Sequence, residues 1–190
     1  MPKPSVPDDG PSLASRDFSI PIGMTFPLFD FTDPQSVTLW NPINDGVMGG
    51  RSQSQLRFDP AGHALFTGHV SFENNGGFAS VRCQPIDLGR TGVTAYLLEV
   101  CGDGKRYKLN LRTDNSFDGV NYQVQFHPPA GIWTICRLAS TDFLPTWRGR
   151  PVADAPPLDT SRVRQIGLMI ADRQEGPFAL AVRSIAAETA

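Results

Sequence analysis

No run in this sequence approaches the roughly 20 consecutive apolar residues that a membrane-spanning helix requires, so direct membrane insertion is not expected. Charge of one sign is also missing: 17 Lys and Arg stand against 19 Asp and Glu, a formal net charge of -2. A dedicated nucleic-acid binder needs a basic surface for the phosphates, and this balance argues against one. Cysteine is scarce. Cys83, Cys101 and Cys136 are odd in number, far apart and without a C-x-x-C, which argues against a disulfide framework and a structural zinc site. Such thiols fit a reducing compartment, so the expected location is the cytoplasm. The opening MPKPSVPDDGPSLASRD has one Lys and no apolar core, and it does not read as a secretory signal. Its Pro, Ser and Asp content predicts a disordered or loosely attached segment over residues 1–25.

Helical periodicity is absent as well. No window of helical length keeps apolar residues at i, i+3, i+4 and i+7, and Gly (18) and Pro (17) cut the chain into short pieces. Period-two segments recur instead. In RYKLNLR, Tyr107, Leu109 and Leu111 point one way while Lys108, Asn110 and Arg112 point the other. In VNYQVQF, Val120, Tyr122, Val124 and Phe126 face a core and Asn121, Gln123 and Gln125 face out. SQLRF, ALFTGHVSF, FASVR, TAYLLEV, WTICRL, QIGLMI and FALAVRSI complete the series, separated by turn signals such as DPAGH, GDGK, DNSFDG, HPPAG and RQEGP. GDGK reads as a hairpin turn. Short strands at this spacing predict an all-β fold, an antiparallel jelly-roll β-sandwich, as a single domain over residues 26–187. Helix should be confined to a turn near Asp33 to Val37 or Ser140 to Phe143.

Motifs of catalysis are missing: there is no G-x-S-x-G elbow, H-E-x-x-H, P-loop or strand-linked G-x-G-x-x-G. No cofactor is expected. Carboxylates such as Glu73 and Asp103 form no spacing that singles out an acid–base pair. Asp30, Asp33 and Asp45 could supply calcium ligands with backbone carbonyls, but their spacing fits no EF-hand and no metal is expected.

What the sequence does contain is a polar strand face. Lys108, Asn110, Arg112, Asn121, Gln123 and Gln125 fall on adjacent strands if DNSFDG closes a hairpin. Amides and guanidinium groups on a rigid sheet suit sugar hydroxyls or a partner's backbone, and they equally suit a solvated outer face. Two glycine doublets stand out beside it, NDGVMGGRS and ENNGGFASVR. Asn44, Asp45, Arg51, Asn74 and Asn75 belong to these runs. Asn and Gly tolerate positive φ, so each run reads as a shaped loop, either a clasp between strands or the rim of a binding site. Among the tryptophans, Trp133 alternates like core, and Trp147 beside Arg148 reads as exposed.

Taken in order, WNPINDGVMGGRSQSQL, FTGHVSFENNGGFASVR, GDGKRYKLNLRT, YQVQF, FLPTWRGR, PPLD and IGLMIADRQEGPFALAVRSI resemble the domain of the complex I intermediate-associated protein family, the thirty-kilodalton kind. The resemblance runs from about Phe29 to Ile185. It implies a galactose-binding-like jelly-roll sandwich and a non-catalytic domain, with mitochondrial members acting as assembly chaperones for respiratory complex I. With no basic amphipathic transit peptide visible, the chain looks like a bacterial stand-alone member. The family's recurrent positions fall here on Asn44, Asp45, Met48, Gly49, Gly50, Ser52, Glu73 to Phe78, Arg82, Arg112, Trp147 to Gly149, Asp159, Asp172 and Gly176. Asp159 is expected to cap a turn and Gly176 to close the last hairpin. Arg82, Arg112 and Arg148 are expected to find carboxylates in Glu73 or Asp172 inside the sandwich.

These readings predict a protein-interaction domain, an assembly factor or chaperone for respiratory complex I or another membrane-associated complex. The alternative is a carbohydrate-binding module.

Overall fold

The computed structural model describes residues 23–190, so residues 1–22 of the expected loose N-terminal segment lie outside the described residues. Alternating apolar residues give each strand one buried face, and two sheets pack those faces together. The strands are β1 (Thr25–Asp30), β2 (Trp40–Pro42), β3 (Gln53–Asp59), β4 (His63–Val70), β5 (Ala79–Cys83), β6 (Val93–Cys101) and β7 (Tyr107–Arg112). They continue with β8 (Asn121–Phe126), β9 (Trp133–Ala139), β10 (Leu144–Trp147), β11 (Arg150–Pro151), β12 (Gln165–Ile170) and β13 (Gly176–Thr189). The first sheet runs β3-β4-β13-β6-β9, with β1 also paired to β13; the second runs β11-β10-β8-β7-β12-β5-β2. Every pairing between named strands is antiparallel. The expected all-β jelly-roll sandwich is the fold.

The core fills the space between the sheets. Phe66, Leu98, Leu180 and Ile185 of the first sheet meet Leu109, Leu111, Ile166 and Leu168 of the second, all fully buried. At roughly 1.5–3 kcal/mol for each such side chain, this layer is the main source of stability. Tyr107, Leu109 and Leu111 point inward, as their period-two spacing predicts, which leaves Lys108, Asn110 and Arg112 on the outer face. The 3-10 turns at Pro34–Leu39 and Ser140–Asp142 sit where helix was expected, and Asp159 caps a third by accepting from the Ser161 N–H. No helix of the described residues is long and apolar enough to cross a membrane.

Two expected hairpins are not hairpins. GDGK joins β6 to β7 and RQEGP joins β12 to β13, and in both cases the strands belong to different sheets. A turn that crosses between layers needs the same Gly and Asp chemistry as one that folds a strand back on its neighbour. Asp103 shows how the crossover is held: its carboxylate accepts from the Lys105 N–H, the Tyr107 hydroxyl and the Ala179 N–H. DNSFDG, in contrast, does close the β7–β8 hairpin, with Asn110 opposite Gln123.

Candidate functional site

The two glycine-rich loops meet at one buried carboxylate. Asp45 has no solvent exposure. Its Oδ1 accepts from the Ser52 N–H at 2.9 Å; its Oδ2 accepts from the Ser52 hydroxyl at 2.5 Å and the N–H groups of Gly77 at 2.7 Å and Phe78 at 3.4 Å. Burial pushes the Asp45 carboxyl up, but these hydrogen bonds together outweigh burial and hold it below its ordinary value. Both doublets now have a reason. A Cβ on Gly76 would stand 2.6 Å from Asp45 Oδ2 and from the Ser71 carbonyl oxygen, and one on Gly50 would collide with the same carboxylate. Asn74 and Asn75 carry φ of 56° and 61°, a left-handed pair that turns the Gly76–Gly77 backbone toward Asp45. Asn44 completes the clasp: its side-chain oxygen accepts from the Ser80 N–H at 3.1 Å and the Ser54 hydroxyl at 2.6 Å.

Beside this clasp, a groove of about 950 Å³ crosses the outer face of the second sheet. Its floor comes from alternate residues of β5, β12, β7 and β8. Arg82, Gly167, Asn110 and Gln123 stand in one cross-strand row, and Gly167 leaves the floor open between Arg82 and Asn110. Asn110 is the hub of the floor: its side-chain oxygen accepts from Asn121 Nδ2 at 3.1 Å and Gln123 Nε2 at 2.8 Å. The Asn74–Phe78 loop supplies one wall through Asn75 to Phe78, and the 114–119 turn supplies another through Phe117 to Gly119. Arg112 and Gln165 fasten that turn. Arg112 donates to the carbonyls of Phe117 and Gly119, and Gln165 Nε2 donates to those of Asp114 and Ser116.

The groove is cationic. Arg82, Lys108, Arg112, Arg148 and Arg173 line it against two carboxylates, Asp118 and Asp172. Lys108 pairs with Asp172 at 2.8 Å and Arg148 with Asp118 at 2.6 Å. Burial lowers the Arg112 pKa against the pull of Asp114 and Asp118, and burial together with repulsion from Arg112 lowers that of Arg82 to about 10, so Arg82 remains charged at neutral pH. The expected partnership of Arg82, Arg112 and Arg148 with Glu73 or Asp172 does not form. Arg82 and Arg112 both donate to the Phe117 carbonyl, Arg148 takes Asp118, and Glu73 pairs with Arg51 at the surface.

Of the residues singled out from sequence as binding candidates, Asn75, Lys108, Asn110, Arg112, Asn121, Gln123 and Arg148 line the groove, as do Arg82 and Asp172 of the recurrent family positions. Arg112 does so as a residue only 4% exposed, because the 114–119 turn folds over the outer face that alternation assigns to it. The others lie elsewhere. Asn44 and Asp45 are enclosed in the clasp, Arg51 and Asn74 are exposed outside it with Asn74 donating to the Gly49 carbonyl, and Gln125 and Trp147 are exposed beyond the groove's lining. Trp133 is half-buried on the first sheet under the Arg183 guanidinium, which is 4.1 Å from its ring centre. Asp30 accepts from Thr32 and Asp33 caps a turn, so neither gathers with Asp45. Sequence reasoning missed Phe72 and Phe117, two exposed aromatic residues on the groove's rim. Phe117 carries its own signal: it is the single aromatic in the polar turn DNSFDG.

Comparison with known proteins agrees with this architecture. The chain is 26% identical over 188 residues to Complex I intermediate-associated protein 30, mitochondrial, of Drosophila melanogaster, covering 87% of this chain and 64% of that protein. An uncharacterized protein of Schizosaccharomyces pombe is 33% identical over 172 residues, covering 76% of this chain and 75% of its own length. Among solved structures, the family 11 carbohydrate-binding module of Clostridium thermocellum superposes with a TM-score of 0.66 at 15% identity, covering 89% of this chain and 97% of the module. That likeness is one of fold. The family model for Complex I intermediate-associated protein 30 matches residues 29–182. With most of the sandwich inside that match, the chain belongs to the Complex I intermediate-associated protein 30 family.

Proposed function

We infer that this is a non-catalytic binding domain that grips a partner protein in the groove of the second sheet, in the service of assembling respiratory complex I or another membrane-associated complex. One observation carries the reading: a 950 Å³ groove with a floor of amides, an excess of cations and exposed aromatic residues at its rim. Such a surface offers oriented hydrogen bonds and apolar contact, the ingredients of an interface. Family membership and the name of the fly relative support the assembly role. The three cysteines are free, which supports a reducing compartment, and we assign the domain to the cytoplasm.

The test compares the wild type with an Asn110→Ala/Gln123→Ala double variant in affinity capture followed by mass spectrometry. Removing Asn110 and Gln123 together deletes donor and acceptor of one bond and takes one acceptor from the half-buried Asn121, whose amide still reaches Thr146 Oγ1 at 3.5 Å, so the cost to folding should stay at about 1–2 kcal/mol. Recovery of complex I subunits by the wild type and their loss from the double variant are the expected results. Equal recovery by both proteins would overturn the groove as the binding surface.

The carbohydrate-binding alternative has one observation in its favour: the fold is shared with a module solved in complex with a β-1,3-1,4-mixed-linked tetrasaccharide. Against it, Arg82 lies 5.1 Å from the ring centre of Phe117 and Arg148 lies 4.8 Å from that of Trp147, covering one face of each ring that would stack on a sugar. Signal on a glycan array that the Asn110→Ala/Gln123→Ala variant loses would favour this second reading.

A further inference from the structure

Two of the groove's cations, Arg82 and Arg112, meet beside the 114–119 turn, where both donate to the Phe117 carbonyl. Lys108 and Arg148 each touch a carboxylate, but among the described residues no acidic oxygen lies within 4.0 Å of the Arg82 or Arg112 guanidinium, and Asp114 and Asp118 act on both only from farther away. Arg112 is 4% exposed and its Nε hydrogen finds no acceptor. Arg82 uses one donor on the Phe117 carbonyl, at 3.1 Å, and its other donors have no acceptor among the described residues. A buried guanidinium with no carboxylate in contact is costly. Arg112 is in that position, and the half-buried Arg82 adds a second cation beside it, in a protein whose net charge is -2.

The floor next to them is also one-sided. Asn121 and Gln123 both donate to the Asn110 side-chain oxygen, which leaves their own side-chain oxygens without an internal donor among the described residues. Cationic donors at one end and amide acceptors along the floor complement a ligand that carries a carboxylate and a series of N–H groups. An acidic peptide has both.

We propose that the Arg82–Arg112 end of the groove receives the carboxylate of a glutamate or aspartate from an extended acidic segment of the partner protein, whose backbone N–H groups lie along Asn121 and Gln123. The inference rests on the groove's being the partner site. It adds what the site selects, because a bidentate guanidinium–carboxylate contact is charge-assisted and directional. Arg82 is the specificity-determining residue. Arg112 supports it from below while holding the 114–119 turn.

The test is fluorescence anisotropy with two labelled peptides, one of alternating glutamate and glycine and one of alternating glutamine and glycine. Wild-type protein should bind the glutamate peptide about tenfold or more tightly than the glutamine peptide, as expected for one desolvated charged contact, and added salt should weaken only the former. Arg82→Gln should abolish that preference by weakening the glutamate peptide to the level of the glutamine peptide, while a cooperative melt shows that the variant is still folded. Arg82→Lys should restore part of it. Equal affinity of the wild type for the two peptides, or a preference that survives in Arg82→Gln, overturns the carboxylate inference while leaving the groove reading standing. Binding of neither peptide overturns both. Tighter binding of oligogalacturonate than of the glutamate peptide would assign the same end to an acidic polysaccharide and end the proposal.

Discussion

Replacing Asp45 with asparagine should loosen both glycine-rich loops at once. The carboxylate accepts four hydrogen bonds from three residues, with no exposure to water. In Asp45→Asn the amide oxygen can keep the place of Oδ2, with its bonds to the Ser52 hydroxyl, Gly77 and Phe78. The amide nitrogen then faces the Ser52 N–H, a donor against a donor. A charged hydrogen bond is lost, worth about 1.5–3 kcal/mol, and a buried donor is left unsatisfied, so a net loss of roughly 2–4 kcal/mol is expected at neutral pH. For a chain of this size that lowers Tm by roughly 4–16 °C. The sign of the pH dependence follows from the lowered carboxyl pKa. A folded-state pKa below the unfolded one contributes stability that is full above the ordinary carboxyl value of 3.8 and fades as pH falls through the lower folded value. Urea denaturation of wild type and Asp45→Asn should therefore show a gap that is widest at neutral pH and narrows in acid. A variant within about 0.5 kcal/mol of wild type at pH 7, the ordinary range of harmless surface changes, would refute the clasp. So would a gap that widens as the pH drops.

Other perturbations separate clasp from groove. Gly76→Ala would press a methyl group into Asp45 and the Ser71 carbonyl, and it should cost about 1–3 kcal/mol in thermal denaturation. Arg148→Ala breaks an exposed, solvent-screened pair with Asp118, so the melting curve should barely move while partner affinity falls, as a binding titration beside a melt would show. Leu168→Ala, in the fully buried core, should lose about 2–5 kcal/mol in urea denaturation. Burial pushes the Cys83 thiol up to about 11, so iodoacetamide at pH 8 should leave Cys83 unlabelled in peptide mass maps until the protein is unfolded.

Much of the architecture was legible because its signal is local. The alternation of Tyr107, Leu109 and Leu111 with Lys108, Asn110 and Arg112 fixes which side of β7 is buried, and the same holds for β8. The turns were legible as turns but not as hairpins or crossovers, since Gly102 to Lys105 would look the same in either role. The glycine doublets could be read as shaped loops. Their reason could not, because Asp45 and Gly77 are 32 residues apart and nothing local links them. Arg112 shows the opposite limit. Alternation places it correctly on the outer face, and the fold then buries it under the 114–119 turn, a tertiary event that period two does not encode. The pairing of Arg148 with Asp118, and not with Glu73 or Asp172, is likewise a matter of which loops the sandwich brings together.

Hydrogen-exchange mass spectrometry on the domain bound to complex I assembly intermediates tests the central claim most directly. If the second sheet's groove is the binding surface, protection should appear in the 107–126 hairpin and in the Phe72–Phe78 segment, with the outer face of the first sheet unchanged. Protection confined to β9 and β13 of the first sheet, with the hairpin and the Phe72–Phe78 segment exchanging as in the free protein, would contradict it.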